Sequence, residues 1–283
     1  MAKIKRIYGV GWRDKTSSTK FEILKEYASA YSKILAAQKK PALQHVYIDA
    51  FAGSGIHVSR STGEFVPGSP LNALNVSPPF REYYLIDLER DKIAALQELV
   101  GNRPDVHILQ GDCNVLLLND VLPKVAYRDF RRALCLLDPY GLHLNWQVLQ
   151  RAGSMQSVEM FLNFPVADMN RNVLWRRDLH KVDPTDINRM NTFWGDNSWT
   201  QVVYSTTGNL FGWPEKTGDN DTVAQAFRDR LKTKAGFKHV PDPLPMRNSR
   251  GAIVYYLFFA SQQPVADKIV KDVFNRYRGP AEA

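Results

Sequence analysis

The chain has 283 residues, 44% of them hydrophobic, which is enough to bury the core of one full α/β domain with an insertion, and a single domain over 1–283 is expected. Two cysteines, Cys113 and Cys135, are too few for a disulfide framework or a cysteine-built zinc site, and His45, His57, His107, His143, His180 and His239 show no metal spacing; no metal is expected, and a reducing cytosol is the expected home. No stretch approaches the roughly 18 uncharged apolar residues of a membrane span, and MAKIKRIYGVGW lacks the apolar core of a signal peptide, so no membrane is expected. The net charge of +8 fits contact with a polyanion or an ordinary solvated surface equally well.

In chain order, TKFEILKEYASAYSKILAAQ over 19–38 sets Phe21, Leu24, Tyr27, Ala28, Tyr31, Ile34 and Leu35 on one face at helical spacing. HVYIDAFAG then reads as a buried parallel strand that stops at glycine. IHVSRSTGEFVPGSP is expected to be a loop leading into a helix with Ser69 as N-cap and Pro70 at its first position. EYYLID, DVHILQGD, RALCLLDPY and VEMFLNFP are four further strand candidates separated by helical or polar stretches, a rhythm that implies a parallel sheet covered on both faces. Residues 166–220 break that rhythm and are expected to be a helical insertion after the fifth strand. DTVAQAFRDRLKTKAGF resumes as helix, and GFKHVPDPLPMRN and AIVYYLFFAS, joined by a turn at Ser249-Arg250-Gly251, predict an antiparallel hairpin at the sheet edge before a closing helix, ADKIVKDVFNRY. Seven mostly parallel strands with that ending define an α/β, Rossmann-like fold of the class I methyltransferase kind.

In such a sheet ligands bind beyond the carboxyl ends of the strands, so the residues that end each strand matter most. After the first strand, Asp49-Ala50-Phe51-Ala52-Gly53-Ser54-Gly55 offers a turn at which backbone can approach a ligand, with Asp49 placed to accept from a charged amino group or to brace the loop. Asp87 ends the second strand, where an acid can take both hydroxyls of a ribose. Gly111-Asp112-Cys113 ends the third, where Asp112 can accept from the amine of adenine or cap a helix. Val58 stands where a dinucleotide fingerprint needs its third glycine. The pattern therefore points to a nucleoside cofactor, S-adenosylmethionine (SAM), bound by Asp49, Phe51, Gly53, Gly55, Asp87, Asp112 and Cys113.

The fourth strand ends in Asp138-Pro139-Tyr140-Gly141. Proline fixes the chain direction so that the Asp138 carboxylate and the Pro139 carbonyl can face one substrate amine, while Tyr140 gives a base a face to stack on; a plain β-turn uses the same residues. The amine lone pair would attack the sulfonium methyl in line. A carbon methylase of cytosine would need cysteine where Tyr140 stands. Asn163-Phe164-Pro165 either lines the same mouth or merely ends its strand. Trp175, Trp194, Trp199 and Trp213, with Arg171, Arg176 and Arg177, could grip nucleic acid, but a small core of the insertion itself is the preferred reading of the tryptophans.

Taken together, KFEILKEY, YIDAFAGSG, GSPLNAL, LLDPYGL, FLNFP and NRNVLWRR resemble the bacterial three-Cys-motif partner proteins over most of the chain. DPYG is also similar to the DPFG signature of guanine-N2 tRNA dimethyltransferases. The resemblance implies a SAM-binding fold and a partner protein whose three cysteines hold an iron–sulfur cluster. Departures from the amino-methylase pattern are the single proline in place of Asp-Pro-Pro-Tyr and the long stretch after the glycines. The expected activity is N-methylation of a nucleobase amine in RNA or DNA. A catalytically silent partner of the three-cysteine protein, or a methylase of a small-molecule or protein amine, are the alternatives.

Overall fold

The period-two alternation of the strands separates two apolar layers. Val46, Ile48, Ala133, Cys135 and Leu137 point to one face of a central sheet, and Tyr47, Leu134 and Leu136 point to the other. The computed structural model describes residues 11–13, 15–59, 63–174, 179–205 and 215–278. Trp175, Arg176, Arg177 and Trp213 lie outside the described residues.

In chain order, strand β1 (Gly11–Arg13) precedes helix α1 (Lys15–Ala37), β2 (Gln44–Asp49), β3 (Ile56–Ser59), β4 (Phe65–Pro67) and α2 (Ser69–Leu74). Then come β5 (Glu82–Asp87), α3 (Arg90–Val100), β6 (Val106–Gln110), α4 (Cys113–Leu116), β7 (Arg131–Leu137), α5 (Trp146–Met155) and β8 (Val158–Phe164). Between β8 and the next long helix lie α6 (Val166–Met169), α7 (Pro184–Trp194), α8 (Trp199–Val203) and the short pair β9 (Tyr204–Ser205) and β10 (Glu215–Lys216). The chain closes with α9 (Asn220–Thr233), β11 (Leu244–Arg247), β12 (Ile253–Ala260) and α10 (Pro264–Tyr277).

The main sheet has seven strands in the order β11-β12-β8-β7-β2-β5-β6. Pairs β2–β5, β2–β7, β5–β6 and β7–β8 are parallel, while β12 runs antiparallel to both β8 and β11. This is the class I methyltransferase fold, and strand order reverses across β2, which leaves a crevice between the ends of β2 and β7. Helices α1, α2, α3 and α10 cover one face through Ile23, Tyr27, Ala73, Leu96, Val270 and Phe274. Helices α5, α7 and α9 cover the other through Trp146, Leu149, Phe193, Trp194, Phe227 and Leu231. Among the described residues no helix is long and apolar enough to cross a membrane.

Two local expectations need correction. The stretch after the glycines contains a hairpin: β3 pairs antiparallel with β4 and parallel with β1, forming a small separate sheet. Strands of three and four residues are too short for alternation to declare them. Ser69 is the first residue of α2, not its cap, because Gly68 takes the extended capping conformation and Pro70 falls one position later. The Ser69 hydroxyl is instead spent on Asp49.

Between β8 and α9, Trp194 and Trp199 are buried in the main core and not in a small core of their own, because α7 and α8 pack on the sheet face that α9 also covers. Their indole N–H groups donate to Ser198 Oγ at 3.1 Å and Asn191 Oδ1 at 2.7 Å, which satisfies the polar edge of each ring. Arg171 is exposed.

Candidate functional site

Register brings the strand ends together. Asp49 pairs with Leu85 and Leu136, and Asp87 pairs with Gln110, so the chain leaves β2, β5, β6 and β7 at one edge. A hollow of about 430 Å³ opens there, lined by Phe51, Gly53, Asp87, Asp112, Cys113, Asp138 and Tyr140, together with Ser54, His57 and His143. Asp49, Gly55 and Pro139 do not line it.

Asp49 has no exposed surface. It accepts from the Phe51 amide at 3.2 Å and Tyr47 Oη at 3.4 Å, and from the Ser69 hydroxyl. Burial pushes its carboxyl up to about 7, against the lowering from Ser69 and the Phe51 amide. Of the two roles open to it from sequence, these contacts are those of a loop brace.

The two glycines of the loop differ in what they do. Gly53 has φ +65° and a side chain there would meet nothing within 4 Å, so its backbone stands open to the hollow. Gly55 has φ +80°, and a Cβ would come to 2.8 Å from Leu96 and 3.0 Å from Leu99, so it is there to let α3 pack.

Asp87 bridges two loops. Its Oδ2 accepts from the Gly53 amide at 2.9 Å and its Oδ1 from the Glu89 amide at 2.9 Å. Each oxygen keeps a second lone pair for a ligand hydroxyl. Leu88, the next residue, is 69% exposed on the hollow's rim, an apolar face beside a polar pair. Asp112 caps α4 by accepting from Asn114 N at 2.7 Å through Oδ1. Its Oδ2 carries no partner among the described residues, so capping leaves one oxygen for a ligand amine. Burial pushes the Cys113 thiol up to about 12, which makes it an uncharged wall and not a nucleophile.

Asp138 is already engaged. The Lys20 ammonium of α1 pairs with its Oδ2, and Asn163 Nδ2 donates to its Oδ1 at 2.7 Å. Lys20 is almost wholly buried, with its ammonium over the rings of Phe21 and Tyr255. Asn163 Oδ1, beside this pair, is buried without a hydrogen-bond partner. Tyr140 projects from the rim and is 90% exposed. Gly141 has φ +79° and a Cβ would stand 2.6 Å from Asp168 Oδ2, so the turn after Asp138 packs directly on α6.

Lys20 and Asn114 were not singled out from sequence. Asn114 is buried, donates to His143 O at 3.0 Å and accepts from Asn145 N at 2.7 Å, which fastens the loop after Tyr140 to the end of β6. The one sequence signal for Lys20 is a cation inside the apolar face of the first helix, between Thr19 and Phe21.

The strand order and the hollow at the strand ends thus give the chain a class I methyltransferase-like fold. Solved structures similar to it include a Legionella pneumophila protein of the DUF519 family, at 12% identity over 91% of this chain and 92% of that one, with a TM-score of 0.45. A proposed methyltransferase from Thermobifida fusca is 15% identical over 87% of this chain and 82% of its own, with a TM-score of 0.42. A proposed SAM-dependent methyltransferase from Listeria monocytogenes is 12% identical over 84% and 98%, with a TM-score of 0.42. No family model matches the sequence, and no curated protein matches it.

Proposed function

We propose that the chain is a SAM-dependent N-methyltransferase acting on an exocyclic amine of a nucleobase in RNA or DNA. The observation that carries this reading is the convergence of Gly53, Asp87, Asp112 and Asp138 from four strand ends on one hollow of nucleoside size. Asp87 would hold the ribose diol, Asp112 Oδ2 the adenine amine, and Leu88 and Phe51 the faces of the base, while the Gly53 backbone passes close to the amino-acid part. SAM bound there supplies an electrophilic methyl group. A base stacked on Tyr140 would present its amine to Asp138, which Lys20 and Asn163 hold in one orientation, so that the nitrogen lone pair faces the methyl.

The test is calorimetry with SAM, followed by transfer of labelled methyl from SAM to total RNA and DNA. Expected are saturable binding, loss of binding in Asp87→Ala, and label in a nucleic-acid fraction that disappears in Tyr140→Ala. Absence of SAM binding at millimolar concentration, or binding unchanged in Asp87→Ala, overturns it.

A second reading draws on the ion pair itself: a carboxylate engaged by Lys20 and Asn163 also suits a silent member of the three-Cys-motif partner family, which keeps the fold while docking an iron–sulfur protein. On that reading Asp138→Ala preserves the biological role and surface changes in 166–220 abolish it.

A further inference from the structure

A second hollow, of about 310 Å³, lies at the opposite edge of the sheet. It is bounded by the starts of β7 and β8, the residues after β12, the second half of α1 and the first turns of α10. Arg132 and Asp138 stand six positions apart on the same strand path, which separates the two hollows by about 20 Å along the sheet.

Glu159 is the chemical centre of this site. It stands deep between Tyr27 and Ser261, accepting from Tyr27 Oη at 2.5 Å and bonded by the Ser261 hydroxyl, yet it retains exposed surface because it faces the hollow. The wall around it holds polar atoms that no protein group satisfies. Gln262 spends its amide nitrogen on the carbonyls of Gly153 at 2.9 Å and Gly236 at 2.8 Å, which leaves its Oε1 buried and unpartnered. Ser157 Oγ and Tyr31 Oη are likewise buried without partners. The one cation that lines the hollow among the described residues, Arg132, is engaged in part elsewhere. Arg132 Nη1 is committed to the carbonyls of Tyr127 and Arg131, and its guanidinium lies 3.6 Å over the Tyr127 ring. The opposite wall is hydrocarbon from Leu35, Ala266 and Ile269, and Ile34 and Val265 are exposed at the mouth.

A carboxylate set among aromatic rings, beside an orphaned amide oxygen and two unpartnered hydroxyls that can also accept, attracts a cation that brings its own N–H donors, and the hydrocarbon wall asks for an apolar body behind it. We propose that this hollow is a second small-molecule site, which takes a protonated amine with a compact apolar body, its ammonium on Glu159 and its hydrocarbon between α1 and α10. The titratable groups that face it are Tyr27, Tyr31, Tyr127, Arg132 and Glu159. Burial pushes the Glu159 carboxyl up to about 7 and both Tyr27 and Tyr31 well above their ordinary value, so the carboxylate is the group whose charge changes near neutrality.

The test uses the whole chain with benzylamine and its neutral counterpart benzyl alcohol, followed by amide chemical shifts at about pH 8. Expected are saturable shifts at 156–159 and 262–266, binding of benzylamine roughly tenfold tighter than of benzyl alcohol, and weakening of benzylamine binding on going to about pH 6 as the carboxylate takes up a proton. Glu159→Gln removes the preference for the amine, and Ala266→Phe, which fills the hollow, removes binding of both probes. Either folded variant suffices to decide. Equal binding of the two probes, no shifts from benzylamine, or shifts centred on Gly53 and Asp87 overturn the proposal.

Discussion

Lys20 and Asp138, 118 residues apart in the chain, form an ion pair that ties the first helix to the tip of β7. The side chains are 6% and 21% exposed, so the carboxylate has little water to fall back on when its partner is removed. Lys20→Met is therefore expected to lower unfolding free energy by about 2 kcal/mol in urea titrations, less than for a fully buried pair. The double variant Lys20→Met with Asp138→Asn should recover most of that loss. If the single variant is as stable as the parent, the pair does not hold the helix.

The two loop glycines should respond differently to alanine. Gly53→Ala keeps its space and loses about 1 kcal/mol from the left-handed backbone alone. Gly55→Ala adds a clash with Leu96 and Leu99 to the same backbone cost, for a total of about 2–4 kcal/mol. Thermal melting of both variants decides the order, and equal losses would contradict the division of labour between them.

Stability should also depend on pH in an identifiable way. Asp49 and Glu159 both have carboxyls raised to about 7 by burial, so the folded chain binds more protons than the unfolded one between about 4 and 7. The contribution of these two groups is thus largest below the unfolded value, falls as pH rises through that window, and levels off above about 7. Asp49→Asn and Glu159→Gln together should flatten the loss, on the order of a few kcal/mol, when guanidinium unfolding is followed from about pH 5 to about pH 8. A double variant with the parent's pH slope would refute this account.

Trp199→Ala is expected to cost about 3–5 kcal/mol, because the ring is wholly buried and its N–H is paired with Asn191. Tyr140→Ala should leave the melting temperature unchanged, since the ring is 90% exposed. The pair of measurements separates an aromatic that builds the core from one displayed at a rim.

Much of this arrangement was legible in the sequence, for a definite reason. Strands buried on both faces read as unbroken apolar runs, and the acid that ends each run marks the edge where the chain turns, so Asp87, Asp112 and Asp138 were recognisable by position. What the sequence hid were partnerships made across the fold. Nothing near Lys20 announces Asp138, and Asn114 acquires its role only when the loop at His143 is laid beside it. Glu159 was hidden differently. It occupies one position of an apolar strand, and its meaning comes from Tyr27 on a helix 132 residues away. The hairpin of β3 and β4 escaped because strands so short carry no readable period, and the displacement of Ser69 from cap to first turn is the one-residue ambiguity usual at helix starts.

Part of the bed on which the first helix rests comes from late in the chain. Tyr27 packs on Phe161 of β8 and Phe259 of β12, and Glu26 pairs with Arg276 of α10. A ribosome therefore releases α1 before part of its resting place has been translated: Tyr31 can already meet His45 and Phe80, but the partners of Tyr27 come only later. Because Lys20 travels on that helix, the rim around Asp138 leans on the same late surface, and a polypeptide cut short ahead of β12 would carry every strand of the parallel sheet yet lack part of the bed that seats α1.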